Sequence, residues 1–344
     1  MNTLSLFQHQ VSLKTSNSFG IDAVAEQFFR LETLQQIDEL RQALSQLPAA
    51  TARLFLGGGS NLVLSDRVTS VVIQVALAGK QLIKQDSEFS IVSAAAGENW
   101  HEFVQWTLAQ GLGGLENLSL IPGTVGASPI QNIGAYGREL KDFFHQLTAF
   151  DFELGEFRTF IKKECQFAYR DSIFKREFGN RFLITEVQFA LPRLWHPELS
   201  YGDVAQQLKQ RSIDEPKPQD VSDVICAIRR SKLPDPNLIG NAGSFFKNPV
   251  VNAALREQIL RSYPSCVSYP LDDGNFKLAA GWLIEQCGWK GKRLERVGVY
   301  DKQALVLVNL GGATGKDVRA LAAQIQSDVA EKFSVNLEVE PVFA

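Results

Sequence analysis

Apolar residues along this chain follow one pattern before residue 200 and another after it. In the first part, short runs of β-branched, aromatic and small side chains recur: ARLFL (52–56), SVVIQVAL (70–77), SIVSAAAG (90–97) and RFLITEVQFAL (181–191). Such runs predict strands, and QLTAFDFELGEFRTF (146–160) predicts a hairpin. One helix interrupts them. Asn99 is its cap, Trp100, Phe103, Val104 and Leu108 form its apolar stripe, and Gly111 closes it. After residue 200 the helical period dominates. Val221, Val224, Ile225 and Ile228 share a face behind Asp220, a candidate N-cap, and LPDP (233–236) forbids continuation. LAAGWLIEQCG (278–288) and DVRALAAQIQSDVAEKF (317–333) predict two more amphipathic helices.

The end of the chain alternates instead. In VNLEVEPV (335–342), Val335, Leu337 and Val339 fall on one side of a predicted strand and Asn336, Glu338 and Glu340 on the other. Two carboxylates therefore share a polar face. Pro341 lacks an amide hydrogen, which points to an edge position there.

GLENLSLIPGTVGASPIQNIGAYG (114–137) fits neither period. It is too rich in Gly, Pro and Asn for a regular element and too apolar for a linker, so an ordered loop that wraps something is expected. SIDEPKPQD (212–220) reads as a linker.

Composition narrows the classes. The 344 residues carry a net charge of −3, which offers no electrostatic footprint for nucleic acid or an anionic membrane. No run approaches a membrane span, and the MNTLSLFQHQVSLK start lacks the features of a signal peptide. Four scattered cysteines without a C-x-x-C pair argue against zinc and a dithiol centre, and they fit a reducing compartment. A soluble, cytoplasmic, monomeric chain with no metal is the expectation.

Candidate chemistry is weighed in six stretches. GGGSN (57–61) follows a strand, and its amides could form an anion-binding nest; a plain turn is the simpler reading of it in isolation. It is not a dinucleotide fingerprint, because Leu62 stands where the third glycine belongs. A second glycine-rich stretch at 121–137 strengthens the case for a ligand with an extended polar part. GGATGKD (311–317) fails the P-loop spacing and reads as a helix-entry turn. Arg170 in YRDSIFK is either a surface arginine or a bidentate carboxylate clamp. Arg229, Arg230 and Lys232 end a helix, where either the helix dipole or a phosphate ligand accounts for cations. Ser244 in NAGSFFKNP has no histidine nearby in sequence, and Phe246 breaks the hydrolase elbow motif. A hydroxyl can still donate a proton.

Taken in order, SFG (18–20), GGGSN, IPGTVGASPIQNIGAYG (121–137), YRDSIFK, LPDPNLIGNAGSFFKNP (233–249), LAAGWLIEQCG and LEVE (337–340) resemble the UDP-N-acetylenolpyruvoylglucosamine reductase family over nearly the whole chain. Tyr201 in LSYGDV resembles the form with an extra substrate-covering loop. The resemblance implies an α+β fold: a two-lobed FAD-binding module of the vanillyl-alcohol-oxidase type, plus a C-terminal α+β substrate domain. The lobes would be residues 1–68 with 334–344, and 69–212; the substrate domain would be 213–333. FAD would bind non-covalently at Gly57, Gly58, Gly59, Ser60, Asn61, Pro122, Gly123, Thr124, Gly126, Ala127 and Gly134, with NADPH as co-substrate. Ser244 would protonate C2 of the enolpyruvyl ether, Arg170 would hold its carboxylate, and Glu340 would assist, with Glu338 as its rival. Tyr201, Arg229, Lys232, Asn248 and Gln303 would hold the nucleotide sugar. Two alternatives stay open: another FAD oxidase of the same fold, and a nucleotide-sugar-binding protein without catalysis.

Overall fold

The computed structural model describes residues 6–48, 50–179, 181–201 and 203–344, so the first five residues of the chain's start lie outside it. Contacts divide the chain into two compact units. The first comprises residues 1–11, 25–58 and 69–231; the second comprises 12–24, 59–68 and 232–344.

In the first unit the predicted strands form. Strand Arg53–Leu56 pairs in parallel with Arg67–Val75, in register Arg53↔Val71 to Leu56↔Gln74. A five-stranded antiparallel sheet follows, in the order Glu156–Ile161, Phe144–Asp151, Phe182–Pro192, Phe89–Ala95, Lys80–Gln85. The predicted hairpin supplies its first two strands. Helix Trp100–Ala109 covers one face of this sheet's core, with Trp100 and Phe103 packed on Phe189. Its cap is as expected: the Asn99 side chain accepts the Glu102 amide at 3.1 Å, and Gly111 takes φ +73° beyond its end.

The 114–137 stretch is an ordered loop. Residues 112–119 are buried throughout, and the rest turns through short 3-10 segments at Glu116–Leu118 and Val125–Ala127 into a two-residue hairpin, Gly134–Ala135 with Arg138–Glu139.

Helix Pro218–Lys232 starts three residues earlier than expected. Asp220 lies in its first turn and accepts the Lys217 amide at 2.8 Å, so it is not the N-cap. Proline at the first helical position explains the shift, because its missing N–H is one the helix would leave unpaired. Val221, Val224, Ile225 and Ile228 are buried against Val204 and Leu208, which keeps the helix with the first unit through Ser231.

In the second unit an antiparallel sheet runs Asn241–Ser244, Val306–Asn309, Val297–Val299, Arg293–Leu294. Helix Gly315–Phe333 buries Val318, Leu321, Ala322, Ile325, Val329 and Phe333. GGATGKD is its entry: Thr314 caps the helix in a reciprocal box with Asp317.

The expected strand 335–342 is not continuous. Burial alternates as predicted at Val335, Asn336, Leu337 and Glu338. Pairing, however, is limited to a bridge at Val339 and the short strand Val342–Phe343. The chain changes partner at Pro341. Glu340 donates its amide to the Phe245 carbonyl at 2.9 Å, whereas Val342 donates to Asn61 at 3.0 Å. A residue without an N–H sits at the switch, where no ladder could use one.

Candidate active site

The two glycine-rich stretches of the first unit lie back to back. The Gly57–Gly58 turn leaves strand Arg53–Leu56 and touches loop 123–124. A Cβ on Gly57 would lie 2.5 Å from Thr124 Oγ1, and one on Gly58 would lie 3.0 Å from Gly123 Cα. The approach is therefore tight for any residue but glycine. Loop 123–128 is held by its own backbone. Trp100 donates to the Gly123 carbonyl at 3.0 Å, Val125 to Glu98 at 2.9 Å and Gly126 to Ala96 at 2.9 Å. The Ala127 amide is also spent, on Thr124 at 3.1 Å. Gly126 packs where any Cβ would collide with Ala96. The amides of Gly57, Gly58, Gly123 and Thr124 donate to no protein acceptor among the described residues. A close-packed pair of glycine turns with unspent amides fits a cofactor's diphosphate. Pro122 is exposed beside them.

Gly134 lies on the other side of the same loop, against Arg170. The Arg170 guanidinium donates to the Gly134 carbonyl at 2.6 Å. A Cβ on Gly134 would sit 2.8 Å from Arg170 Nη1. Arg170 has φ +55°, in a tight turn closed by the Ala168–Asp171 bridge. Left-handed backbone at a non-glycine residue is held only where its surroundings enforce it, and such residues cluster at functional sites.

Arg229 interacts with Arg170 in the first unit. Burial pulls its guanidinium below the usual arginine range; Tyr136 and Cys226 oppose this, and the Arg170 charge adds to it. Its Nε donates to the Leu120 carbonyl at 3.3 Å, and it hydrogen-bonds Tyr136. No carboxylate is among the partners of Arg229 in the described residues. Two neighbouring arginines, one of them without an acidic partner, make a site for an anion. Tyr136 also meets Tyr201 edge to face, with ring centroids 6.3 Å apart.

Tyr136 was missed from sequence. AYG read as part of a glycine loop, and only the hairpin turn it occupies (φ +48°, then Gly137 at +81°) brings the ring to Arg229. His101 was missed as well. Its Nδ1 accepts the Leu120 amide at 3.0 Å.

In the second unit, SFG ties two site segments together. Ser18 donates its amide to Gly59 at 3.1 Å and its hydroxyl to the Asn241 carbonyl at 2.6 Å. Gly59 takes φ +59° against the Ser16 backbone, so no side chain fits there. Ser60 and Asn61 continue the turn, and Asn61 Nδ2 donates to the Glu340 carbonyl at 3.4 Å.

Ser244 ends strand Asn241–Ser244 with its side chain exposed. Gly243 before it has φ +68°, and the Gly243 amide bonds Asn241 Oδ1 at 2.9 Å. The next residues form a clasp with the C-terminal segment: Glu340 bonds Phe245, Val339 bridges Phe246, and Lys247 bonds Glu338. Glu340 thus lies across from the residue after Ser244. Glu338 instead forms an ion pair with Lys247, its side chain 68% exposed. Asn248 and Gln303 both reach the start of helix Ala280–Gln286. Asn248 Oδ1 accepts the Ala280 amide at 2.9 Å, and a Cβ on Gly281 would lie 3.1 Å from Gln303 Oε1. Lys232 belongs to this unit, at the end of helix Pro218–Lys232.

Comparison with known proteins gives a consistent result. Residues 31–160 match the model of an FAD binding domain. Residues 235–344 match that of the UDP-N-acetylenolpyruvoylglucosamine reductase C-terminal domain. The UDP-N-acetylenolpyruvoylglucosamine reductase of Pseudomonas putida is 55% identical over 97% of this chain and 98% of its own. The chain belongs to the UDP-N-acetylenolpyruvoylglucosamine reductase family. The enzyme of that name from Paraburkholderia phymatum is 52% identical over 96% of this chain and 95% of its own. The crystal structure of the Thermus caldophilus reductase shares the fold, with a TM-score of 0.66 at 24% identity, over 98% of this chain and 99% of that one. The expected α+β class therefore holds, with an FAD-binding module and the reductase family's own C-terminal domain. Among the described residues no helix is long and apolar enough to cross a membrane. None of their His, Cys, Asp and Glu side chains form a group that could hold a metal.

Proposed function

We propose that the protein is an NADPH-dependent flavoenzyme that reduces the enolpyruvyl ether of UDP-N-acetylglucosamine enolpyruvate. The product is UDP-N-acetylmuramate, for peptidoglycan precursor synthesis in the cytoplasm. FAD, when bound, carries a hydride from NADPH to the vinyl carbon. The turns at Gly57, Gly58, Gly123 and Thr124 hold its diphosphate through their amides, and Gly59, Ser60, Asn61, Pro122, Gly126, Ala127 and Gly134 shape the remainder of the cradle. We assign 1–68 with 334–344, and 69–212, to the cofactor lobes, and 213–333 to the substrate domain.

Hydride addition leaves negative charge on C2 that spreads into the substrate carboxylate. Arg170 holds that carboxylate as the charge builds. Ser244 Oγ delivers the proton to C2. A carbanion is a far stronger base than a substrate oxygen, so a hydroxyl serves where no histidine is at hand. Glu340, in its protonated form, donates a hydrogen bond to the enolate. Arg229, Lys232, Tyr201, Asn248 and Gln303 bind the nucleotide sugar.

Within the structure, the clasp supports the reading: the Glu340 backbone pairs with Phe245, the residue after an exposed Ser244. The test is anaerobic stopped flow. Ser244→Ala is expected to bleach with NADPH at the wild-type rate and to re-oxidise with substrate at least about 10²-fold more slowly. Wild-type re-oxidation removes Ser244 from the mechanism.

A further inference from the structure

His101 lies in the first turn of helix Trp100–Ala109 and is half-buried. Its Nδ1 accepts the amide of Leu120 at 3.0 Å. Leu120 is itself unusual, a branched residue at φ +58°. Its carbonyl in turn accepts Arg229 Nε at 3.3 Å. The three groups form a chain of contacts: imidazole, the amide and carbonyl on either side of one left-handed residue, guanidinium.

Acceptance by Nδ1 requires that this nitrogen carry no proton, so the ring is neutral with its hydrogen on Nε2. The surroundings favour that form. Burial is the first cause, and the charges of Arg230 and Arg229 act in the same direction; Glu102 opposes them. Arg229 needs the support, because Arg170 repels it and Tyr136 and Cys226 are its other polar neighbours.

We propose that His101 is a positioning residue for substrate: by holding Leu120 in the left-handed conformation it fixes the carbonyl that orients Arg229. The inference rests on the reading that Arg229 binds the nucleotide's diphosphate. Protonation of His101 converts Nδ1 into a donor facing another donor. Acid therefore loosens substrate binding and leaves reduction of the flavin by NADPH unchanged.

The experiment measures KM for the enolpyruvyl nucleotide sugar from about pH 5 to pH 8, with the rate of flavin reduction by NADPH as a second readout. The proteins are wild type, His101→Asn, His101→Leu and Arg229→Met. His101→Leu is expected to raise KM at least about fivefold at neutral pH, since the Leu120 amide loses its acceptor, with flavin reduction unaffected. In wild type KM rises on the acid side. His101→Asn, whose oxygen takes the place of Nδ1 without titrating, stays near wild type at neutral pH and lacks that rise. The same acid rise in wild type and His101→Asn overturns the proposal, as does an unchanged KM in His101→Leu. If His101→Leu does not fold, the two pH profiles decide. Arg229→Met separates the levels. Raised KM there, with KM in the His101 variants unchanged, sinks only this inference; unchanged KM sinks the Arg229 assignment too.

Discussion

Gly57→Ala tests whether the two glycine turns work as one surface. The φ of Gly57 lies outside the left-handed region, so alanine meets no backbone penalty. The new methyl group would lie 2.5 Å from Thr124 Oγ1, about 0.9 Å short of ordinary contact. Its next neighbours, Ala127 Cβ and Thr124 Cβ at 3.6 Å, are comfortable. One hydroxyl therefore carries the whole clash. Relief comes by moving the turn away from loop 123–124, and overpacking of this kind costs about 1–3 kcal/mol. If both segments hold the FAD diphosphate, the cost appears as an FAD dissociation constant raised roughly 5- to 150-fold. Thr124→Ala removes the clashing atom and breaks no protein hydrogen bond among the described residues. The double variant should then recover most of the loss, with a coupling of about 1–2 kcal/mol. Gly58→Ala is the control, because it meets Gly123 Cα at 3.0 Å, a backbone atom that no truncation of Thr124 removes. Quenching of flavin fluorescence gives the dissociation constants, and urea unfolding of the apoprotein reports the packing itself. Additive effects within about 0.5 kcal/mol in both assays would refute the packing. Coupling in stability with FAD affinity untouched would keep the packing and remove the loops from the cofactor site.

The remaining predictions concern single groups. Glu340→Gln should slow substrate-driven re-oxidation by about 10²-fold or more, while Glu338→Gln, which breaks an exposed ion pair, should stay within about threefold of wild type and lose at most about 1 kcal/mol; the reverse ranking in stopped flow moves the acid to Glu338. Asp151 is buried, and Arg181 holds its carboxyl below the usual range. A depressed folded pKa contributes stability above the unfolded value near 3.9 and loses it as pH falls through the folded value. Arg181→Met should therefore destabilise the protein at pH 7 and clearly less near pH 3 by urea denaturation; an equal loss at both pH values counts against the ion pair. Cys165 is fully buried and burial pushes its thiol up to about 12. Peptide mapping after iodoacetamide at neutral pH should find it unmodified in native protein and modified after unfolding.

Much of this was legible because local signals and tertiary demand agreed. Asn99, the Trp100 to Leu108 stripe and Gly111 all define the same helix, and packing on Phe189 leaves it in place. The 335–342 segment shows where agreement ends. Alternation told correctly which residues are buried up to Glu338, since that depends on the chain's own period. It could not reveal that the backbone pairs first with Phe245–Lys247 and then with Asn61–Val63, because partner choice is not written in a two-residue period. Pro341 was the one local mark of the switch. The same limit governed Glu338 and Glu340, which alternation made equivalent. Glu338 pairs with Lys247, whose position opposite it follows from the clasp and not from either segment alone.

His101 and Tyr136 mark a deeper limit. The chain has four histidines, and a sequence invites the question of which one is a base. His101 receives a hydrogen bond from a main-chain amide 19 positions away. Every non-proline residue carries such an amide, so no side-chain pattern advertises the partner. Tyr136 reaches Arg229 through a turn whose left-handed residues are a tyrosine and a glycine, and only the glycine is announced by its type. Residues that touch a ligand directly share the ligand's chemistry and can be matched by kind, as arginine to an anion. Residues that aim those arginines act through peptide groups, which are the same everywhere along the chain. The identity of the second kind is set by geometry alone, and the effect of removing one should be read in KM and its pH dependence before it is seen in the chemical step.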